Sequence, residues 1–253
     1  MEKKLVLYLG PEYPEHIQKD LENKVQIVFL PILDIIPINK SSIDFLNNID
    51  KCDWIVFTSP RGPKILANDA KINKVFDLIV GKINNKKLAA VGSETAKSIE
   101  IYLGRKPDLI PKSYTGKELG IELSKINSRC VLLARSKQGL KDINEILKEK
   151  SINFVEINLY EERLNDKNLL SINEFLIKND VQYVLLSSPL IAEAFCNYIK
   201  KDDIKIISIG PSTYSVLKEK CPKYIVLIPQ KYTLSSAIEL IKNFWQSFMS
   251  FGI

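Results

Sequence analysis

Two stretches of the chain place hydroxyl side chains directly after an apolar run and before a helical pattern. "DWIVFTSPRG" carries Thr58, Ser59 and Arg61, and "VQYVLLSSPLI" carries Ser187 and Ser188. Ser or Thr before Pro is typical of a helix N-cap with Pro at the first helical position. The N–H groups and the dipole at such a helix start favour anions. The residue types therefore predict an anion-binding site made of hydroxyls, backbone amides and cations.

A second pair of stretches follows the same logic with glycine. "LAAVGSETAKSIE" and "IISIGPSTYSVLK" each place Gly at the end of an apolar run, where backbone can approach a ligand, and then open a helix. The candidate anion-binding residues here are Gly92, Ser93, Thr95, Gly210, Ser212 and Thr213. The alternative interpretation is that all these residues act only as helix caps and turns, which is the routine use of each type.

Other kinds of chemistry lack supporting residues in the sequence. No paired-carboxylate site, phosphate loop or G-x-G-x-x-G pattern occurs, and the adjacent acids Asp50 with Asp53 and Glu161 with Glu162 are interpreted as surface charges. The one histidine, His16, lies in a polar stretch and is interpreted as a solvated surface residue. A histidine-dependent triad or a multi-histidine metal centre is therefore not expected.

The cysteines give no sign of a metal site or a disulfide framework. Cys52, Cys130, Cys196 and Cys221 are scattered along the chain without a C-x-x-C pair. We therefore expect neither zinc nor disulfides, with Cys130 as a small core residue in an apolar run.

Composition fits an ordinary globular protein of one large or two modest domains. The chain has 253 residues, of which 45% are hydrophobic and 26% charged. No apolar run approaches the roughly 18 residues of a membrane span, and the N-terminal stretch has no secretory pattern, so we expect a cytoplasmic protein. The net charge is +6. A mild positive charge favours an anionic ligand. The basic residues are spread rather than clustered and form no nucleic-acid motif.

The elements that must position these residues alternate between short apolar strands and amphipathic helices. Nine near-continuous apolar runs, such as "KLVLYLG" and "RCVLLAR", are separated mostly by helical segments such as "LKDINEILKEK". This alternation predicts an α/β fold with parallel sheets wrapped by helices.

The pattern is duplicated within the chain. The "VGSET" and "IGPST" stretches lie 118 positions apart, as do "IPKSYT" and "IPQKYT", whereas the two Ser-Pro stretches lie 129 apart. "LVLYLGPEYPEHIQKDLENKVQIVFL" also resembles "VLLARSKQGLKDINEILKEKSINFVEI", each a strand, helix and strand. We call the strand–helix–strand segment a, and the longer segment that carries the Ser-Pro and Gly stretches b. Their order along the chain is a-b-a-b, which predicts two pseudo-equivalent α/β domains without showing which a pairs with which b.

In order and spacing, these segments resemble the uroporphyrinogen-III synthase family over essentially the whole chain. The supporting stretches are "DWIVFTSPRGPKIL", "KLAAVGSETAKSIE", "IPKSYTGKELGIEL", "VEINLYEER", "VLLSSPLIAEAF", "IISIGPSTYSVLK" and "YTLSSAIELI". The resemblance implies two α/β domains with parallel sheets. One comprises 39–157, the other combines 1–33 with 168–253, and linker strands at 34–38 and 158–167 join them.

The resemblance also implies a reaction: cyclisation of the linear tetrapyrrole hydroxymethylbilane to uroporphyrinogen III, with loss of water, inversion of the last ring, and no cofactor or metal. It implies that the hydroxyl and glycine residues named above, with Arg61 and, as weaker additions, Arg135 and Ser136, bind the carboxylates of this substrate. Tyr160, in "NLYEER", is the one candidate for proton donation, with interdomain packing as its alternative role. Tyr114 and Tyr232 are expected to pack, with ligand binding as the alternative, and the protein is expected to be a monomer.

Two rival functions remain at this point. A two-domain protein of the same fold could act as a sensor that binds a tetrapyrrole-like anion without turnover. A nucleic-acid binder would use the positive charge, but that charge is not clustered.

Overall fold

The protein is described by a computed structural model in which residues 4–12, 25–126 and 128–249 are placed. It falls into two compact units. One comprises Met1–Asp34 with Arg163–Ile253, and the other comprises Ile35–Glu162. The helix predicted between the first two strands and the surface position predicted for His16 lie outside the described residues.

The described elements alternate in type along most of the chain. The strands are β1 (Lys4–Gly10), β2 (Val25–Pro31), β3 (Leu33–Pro37), β4 (Trp54–Phe57), β5 (Lys87–Ala90), β6 (Cys130–Ser136), β7 (Asn153–Leu164), β8 (Val181–Leu186), β9 (Lys205–Ser208) and β10 (Ile225–Leu227). The helices are α1 (Ser41–Asn48), α2 (Arg61–Ile72), α3 (Phe76–Ile83), α4 (Ser93–Leu103), α5 (Gly116–Lys125), α6 (Asp142–Glu149), α7 (Asp166–Lys178), α8 (Pro189–Tyr198), α9 (Pro211–Lys220) and α10 (Leu234–Met249). A 3-10 turn at Ile49–Lys51 follows α1.

Among residues 4–12, 25–126 and 128–249, the strands form one five-stranded sheet in each unit. The first unit has the order β10-β9-β8-β1-β2, with every neighbouring pair parallel. The second unit has the order β3-β7-β6-β4-β5, with parallel pairing from β7 through β5. The predicted α/β class with two parallel sheets is therefore confirmed.

The sheet order shows how the repeated segments combine. The run β2-β1-β8-β9 of the first sheet corresponds to β7-β6-β4-β5 of the second, and β5 and β9 begin 118 positions apart. In the second sheet, Ala89 of β5 forms a parallel bridge with Leu109, which corresponds to the pairing of β9 with β10 in the first sheet. Within the sheets, β1 pairs with β8 and β6 pairs with β4. The exact domain boundaries, with linkers at 34–38 and 158–167, stay a prediction.

The strands are apolar on both faces because helices cover both faces of the sheet. In β4 all four residues are buried. Ile55 and Phe57 belong to one core cluster, whereas Trp54 and Val56 belong to another. Alternate side chains of a strand point to opposite faces, so this split places a separate core on each side of the second sheet.

The expectation that the cysteines are unpaired is wrong in this structure. Disulfides join Cys52 to Cys130 and Cys196 to Cys221, with Cα–Cα distances of 4.4 and 5.6 Å. The partners are 78 and 25 positions apart in sequence. Spacing along the chain failed as a guide because Cys52 precedes β4 and Cys130 begins β6, and these two strands are neighbours in the sheet.

Candidate functional site

Each sheet has a topological switch point between two neighbouring strands. The predicted residues lie near the carboxyl ends of strands in these sheets. In the second unit the chain leaves β6 and β4 toward opposite edges of the sheet, so a crevice forms outside their carboxyl ends. Thr58 and Ser59 follow β4 directly, and Arg135 and Ser136 are the last residues of β6. In the first unit Ser187 follows β8, and its hydroxyl donates to the carbonyl oxygen of Leu9 in β1 at 3.2 Å.

The two Ser-Pro turns cap their helices in slightly different ways. Ser188 is the N-cap of α8, its hydroxyl accepts from the Ile191 amide at 3.3 Å, and Pro189 takes the first helical position, as predicted. In the other copy Pro60 takes the cap position itself, and the Ser59 hydroxyl accepts from the Arg61 amide at 3.2 Å. The prediction was therefore wrong by one residue at α2. A proline fits either position because its φ is already close to the helical value.

Gly92 and Gly210 are the N-caps of α4 and α9, both in extended backbone. A Cβ built on Gly92 would lie 2.9 Å from the ring of Tyr114, whereas a Cβ on Gly210 would meet nothing closer than 3.9 Å, at the Cβ of Tyr232. The tyrosine expected to pack does so against Gly92, which explains why glycine is needed there. Position 210 leaves room for a Cβ.

The hydroxyl residues after each glycine divide into buried and accessible ones. Thr95 and Thr213 are buried, whereas Ser93 and Ser212 are half-buried. Ser93 is the first residue of α4, and Ser212 is the second residue of α9. The serines are therefore better placed than the threonines to meet a ligand at these helix starts.

Arg135 is a buried residue with several partners of its own. Its side chain is 1% exposed, one guanidinium nitrogen donates to Asn144 Oδ1 at 2.9 Å, and another donates to the carbonyl oxygen of Leu140. Glu156 lies 3.7 Å from the guanidinium. Burial lowers the pKa of Arg135, while Glu156 opposes that change. These contacts fix the loop after β6, and the predicted contact of Arg135 with substrate stays a prediction.

Tyr160 lies inside the core of the second unit with only its hydroxyl end among polar groups. The side chain is 1% exposed and belongs to the cluster that includes Phe57. Burial raises the pKa of Tyr160, and hydrogen bonding to Ser59 and Arg61 acts in the opposite direction. The phenol is thus protonated at neutral pH, and its proposed role as a donor stays a prediction.

Tyr160 also lies at a local irregularity in the sheet. It pairs with Ser136, and the register between β6 and β7 shifts between Arg135 and Ser136. The Ser136 hydroxyl lies 3.3 Å from Gln138 Oε1, which also accepts from the Glu162 amide at 2.9 Å. Such irregularities re-aim side chains next to functional sites.

Glu162 was interpreted from the sequence as a surface charge, and this is wrong. Its side chain is 14% exposed and lies 4.0 Å from the guanidinium of Arg61, which is 23% exposed. Burial raises the pKa of Glu162, and Arg61 partly offsets this change. Asp50, by contrast, is 64% exposed and pairs with Lys82, as a surface charge should. The missed signal was spacing, because residues two apart on a strand share a face, which places Glu162 beside Tyr160.

A comparison with known families decides what kind of chain this is. The sequence model described as "Uroporphyrinogen-III synthase HemD" matches residues 16–239. The chain belongs to the uroporphyrinogen-III synthase family. The family predicted from the motifs is therefore confirmed, and its members are cyclising lyases of porphyrin biosynthesis.

Relatives of known name support the assignment to the uroporphyrinogen-III synthase family. A Methanocaldococcus jannaschii protein, named as a candidate uroporphyrinogen-III synthase, is 31% identical over 85% of this chain and 88% of its own length. The "Porphyrin biosynthesis protein HemD" of Ruminiclostridium josui is 26% identical over 83% of this chain, which spans only 42% of that longer relative.

Solved structures of uroporphyrinogen-III synthases share the fold. A mutant of the Thermus thermophilus enzyme aligns with a TM-score of 0.68 and 16% identity over 96% of this chain and 99% of its own. The Helicobacter pylori enzyme aligns with a TM-score of 0.61 and 18% identity over 95% of this chain and 99% of its own. In the part of the chain that the structure describes, no helix combines the length and apolarity that crossing a bilayer requires.

Proposed function

We propose that this protein converts hydroxymethylbilane to uroporphyrinogen III. The observation that carries the proposal is the duplicated set of strand-end residues, which stands at the switch point of both sheets in a chain of this family. A substrate with an acetate and a propionate on each of four pyrrole rings needs many anion-binding groups. Two such sets supply them.

The donors available at these edges suit carboxylates. The starts of α2 and α4 in one unit and of α8 and α9 in the other present backbone amides. The positive end of each helix dipole adds to their attraction for an anion. Ser59 and Ser188 add hydroxyls, and Arg61 adds a guanidinium.

The proposed reaction needs positioning more than strong acid–base chemistry. The terminal hydroxyl leaves as water after gaining a proton, the electron pair of the adjacent pyrrole forms the new double bond, and a ring carbon of the last pyrrole then attacks. The attacking carbon, which still carries its own methylene bridge, becomes a spiro centre. Its bond to that bridge then breaks, and the freed methylene bonds to the other α-carbon of the last pyrrole, which inverts the ring. That carbon loses one proton, which balances the proton gained by the leaving hydroxyl and completes the macrocycle. Holding both ends of the chain selects this path over direct closure.

Within this scheme Tyr160 is the proposed proton donor. Its phenol is protonated at neutral pH, and its hydroxyl lies among Ser59 and Arg61 at the carboxyl edge of the second sheet. A raised pKa makes it a weak acid, so we assign it a modest share of the rate. The pyrrole nitrogen of the substrate supplies the main push on the leaving hydroxyl.

The test is an isomer analysis. The protein is incubated with hydroxymethylbilane generated enzymatically, with and without a chelator, and the products are oxidised and resolved as type I and type III uroporphyrins. We expect mainly the type III isomer in both samples. A product mixture equal to the no-enzyme control would refute the proposal, and tight binding alongside that result would support a sensor. The proposal includes a monomer in the cytoplasm, checked by size-exclusion chromatography and cell fractionation.

A further inference from the structure

The pair of Arg61 and Glu162 is a feature of the second unit that the proposed reaction does not use. Arg61 is the first residue of α2, at the carboxyl end of β4, and Glu162 lies near the end of β7. Their charged groups lie 4.0 Å apart, and both side chains are largely buried, at 23% and 14% exposure. An acid so close to a proposed carboxylate-binding cation needs an explanation.

The scaffold around Glu162 keeps it in place. Its backbone amide donates to Gln138 Oε1 at 2.9 Å, and the Lys137 amide donates to the Tyr160 carbonyl at 2.9 Å. The loop after β6 is therefore attached to β7 on both sides of Glu161. Glu162 is held at the site by backbone contacts, whether or not Arg61 is paired with it.

The titratable groups that face Glu162 come from α2 and from β7. Arg61 approaches from α2 and Tyr160 from β7 itself, while the neighbouring Glu161 pairs with Lys137 at 3.5 Å. At this distance an ion pair that is partly shielded from water has a strong attraction. A ligand carboxylate that binds Arg61 must approach within several ångströms of the Glu162 carboxylate and is repelled by it.

We propose that Glu162 is the resident counterion of Arg61, that a ligand carboxylate displaces it from this pairing, and that Glu162 then takes up one proton. Glu162 acts through Arg61 and is a positioning residue rather than a catalytic one. The inference rests on the proposed function, since that function places a carboxylate on Arg61. The proton balance is one carboxylate converted to one carboxylic acid for each bound ligand.

The burial that raises the pKa of Glu162 in the free protein supports this step. A group already biased toward its neutral form protonates readily beside a second carboxylate. Ligand binding should therefore depend on the ionisation of Glu162. At low pH Glu162 is neutral and does not oppose the ligand. As the pH rises and Glu162 ionises, ligand binding weakens.

The test uses uroporphyrin III as a stable probe for the wild type and for Glu162→Gln, which keeps the shape and removes the charge. We expect Glu162→Gln to bind about three- to ten-fold more tightly than the wild type at pH 8.5, given a repelling charge about 7 Å away in a medium of effective dielectric ~20 with partial screening. The advantage of Glu162→Gln should shrink as the pH is lowered from 8.5 to 5.5. Titration of the ligand itself cancels in this ratio.

Two further variants make the test specific. Glu161→Gln removes the same formal charge one residue away, where the side chain is 32% exposed and paired with Lys137. It should leave both affinity and pH dependence close to wild type. In an Arg61→Gln background, Glu162→Gln should lose its pH-dependent effect, because the effect acts through Arg61.

Calorimetry in two buffers of different ionisation enthalpy measures proton uptake directly. The wild type should take up more protons per bound uroporphyrin III near neutral pH than Glu162→Gln, by at most one. Equal uptake in both, equal effects of Glu161→Gln and Glu162→Gln, or a wild type that does not bind the probe would each overturn the inference. The isomer assay reports on the proposed function independently, so failure of one is distinguishable from failure of the other.

Discussion

The different surroundings of Gly92 and Gly210 make a sharp prediction about two matched substitutions. The glycines occupy the same place in the repeat, both as helix N-caps in extended backbone with φ of −171° and −143°. Alanine adopts such backbone without strain, and replacing a cap glycine by alanine costs the same kind of small loss at both sites. Any difference between Gly92→Ala and Gly210→Ala must therefore come from what the new methyl group meets.

The magnitude follows from the contacts. The new methyl at position 92 lies 2.9 Å from Cγ and Cδ2 of Tyr114 and 3.2 Å from its Cβ, so the whole side chain must move. At position 210 the nearest atom is 3.9 Å away, an ordinary contact. Overpacking of this kind costs about 1–3 kcal/mol, so Gly92→Ala should destabilise the protein by about that much more than Gly210→Ala.

The assay is urea unfolding of both variants, followed by circular dichroism. A double-mutant cycle with Tyr114→Ala supplies the control, because removing the ring should remove the extra cost of Gly92→Ala and leave a coupling of about 1–3 kcal/mol. Equal stability losses at the two glycines, or a loss at position 92 that persists without the Tyr114 ring, would refute the packing argument.

Three further predictions follow from the site and the cross-links. Tyr160→Phe should lower turnover about 10- to 100-fold while the enzymatic product stays type III, and wild-type turnover would leave the tyrosine a packing residue. Reduction of the Cys52–Cys130 and Cys196–Cys221 disulfides, which close loops of 78 and 25 residues, should lower the free energy of unfolding by up to about 4.5 and 3.5 kcal/mol. Denaturation with and without dithiothreitol measures the loss, and no change would show that the bonds contribute nothing. Added salt should weaken uroporphyrin III binding through screening, and a salt-independent affinity would contradict charge pairing.

Much of the fold follows from sequence because its signals are local and repeated. Buried parallel strands must be apolar on both faces, as β4 is, and this makes each strand visible as a short apolar run. The offset of 118 positions between "VGSET" and "IGPST" reappears as the offset between β5 and β9. Repetition thus turned weak individual motifs into a reliable prediction of architecture.

The features missed from sequence depend on contacts between distant segments. The pairing of Cys52 with Cys130 requires knowing that β4 and β6 are neighbours in the sheet, and the repeat alone does not show this. The burial of Glu162 likewise requires α2 to bring Arg61 to the end of β7. The alternation of residues along β7 could have placed Glu162 on the same face as Tyr160, but no local pattern records that Arg61 of α2 lies beside it.

The duplication also raises a question of selectivity, because two equivalent binding sets could not distinguish the two ends of a linear tetrapyrrole. The sets are equivalent in their serines, Ser59 and Ser188, but not in charge. The residue two positions after Ser59 is Arg61, whereas the residue two positions after Ser188 is Leu190. The ion pair of Arg61 and Glu162 therefore marks one unit as different from the other, and such a difference is what a pseudo-symmetric protein needs in order to invert one terminal ring and leave the other unchanged.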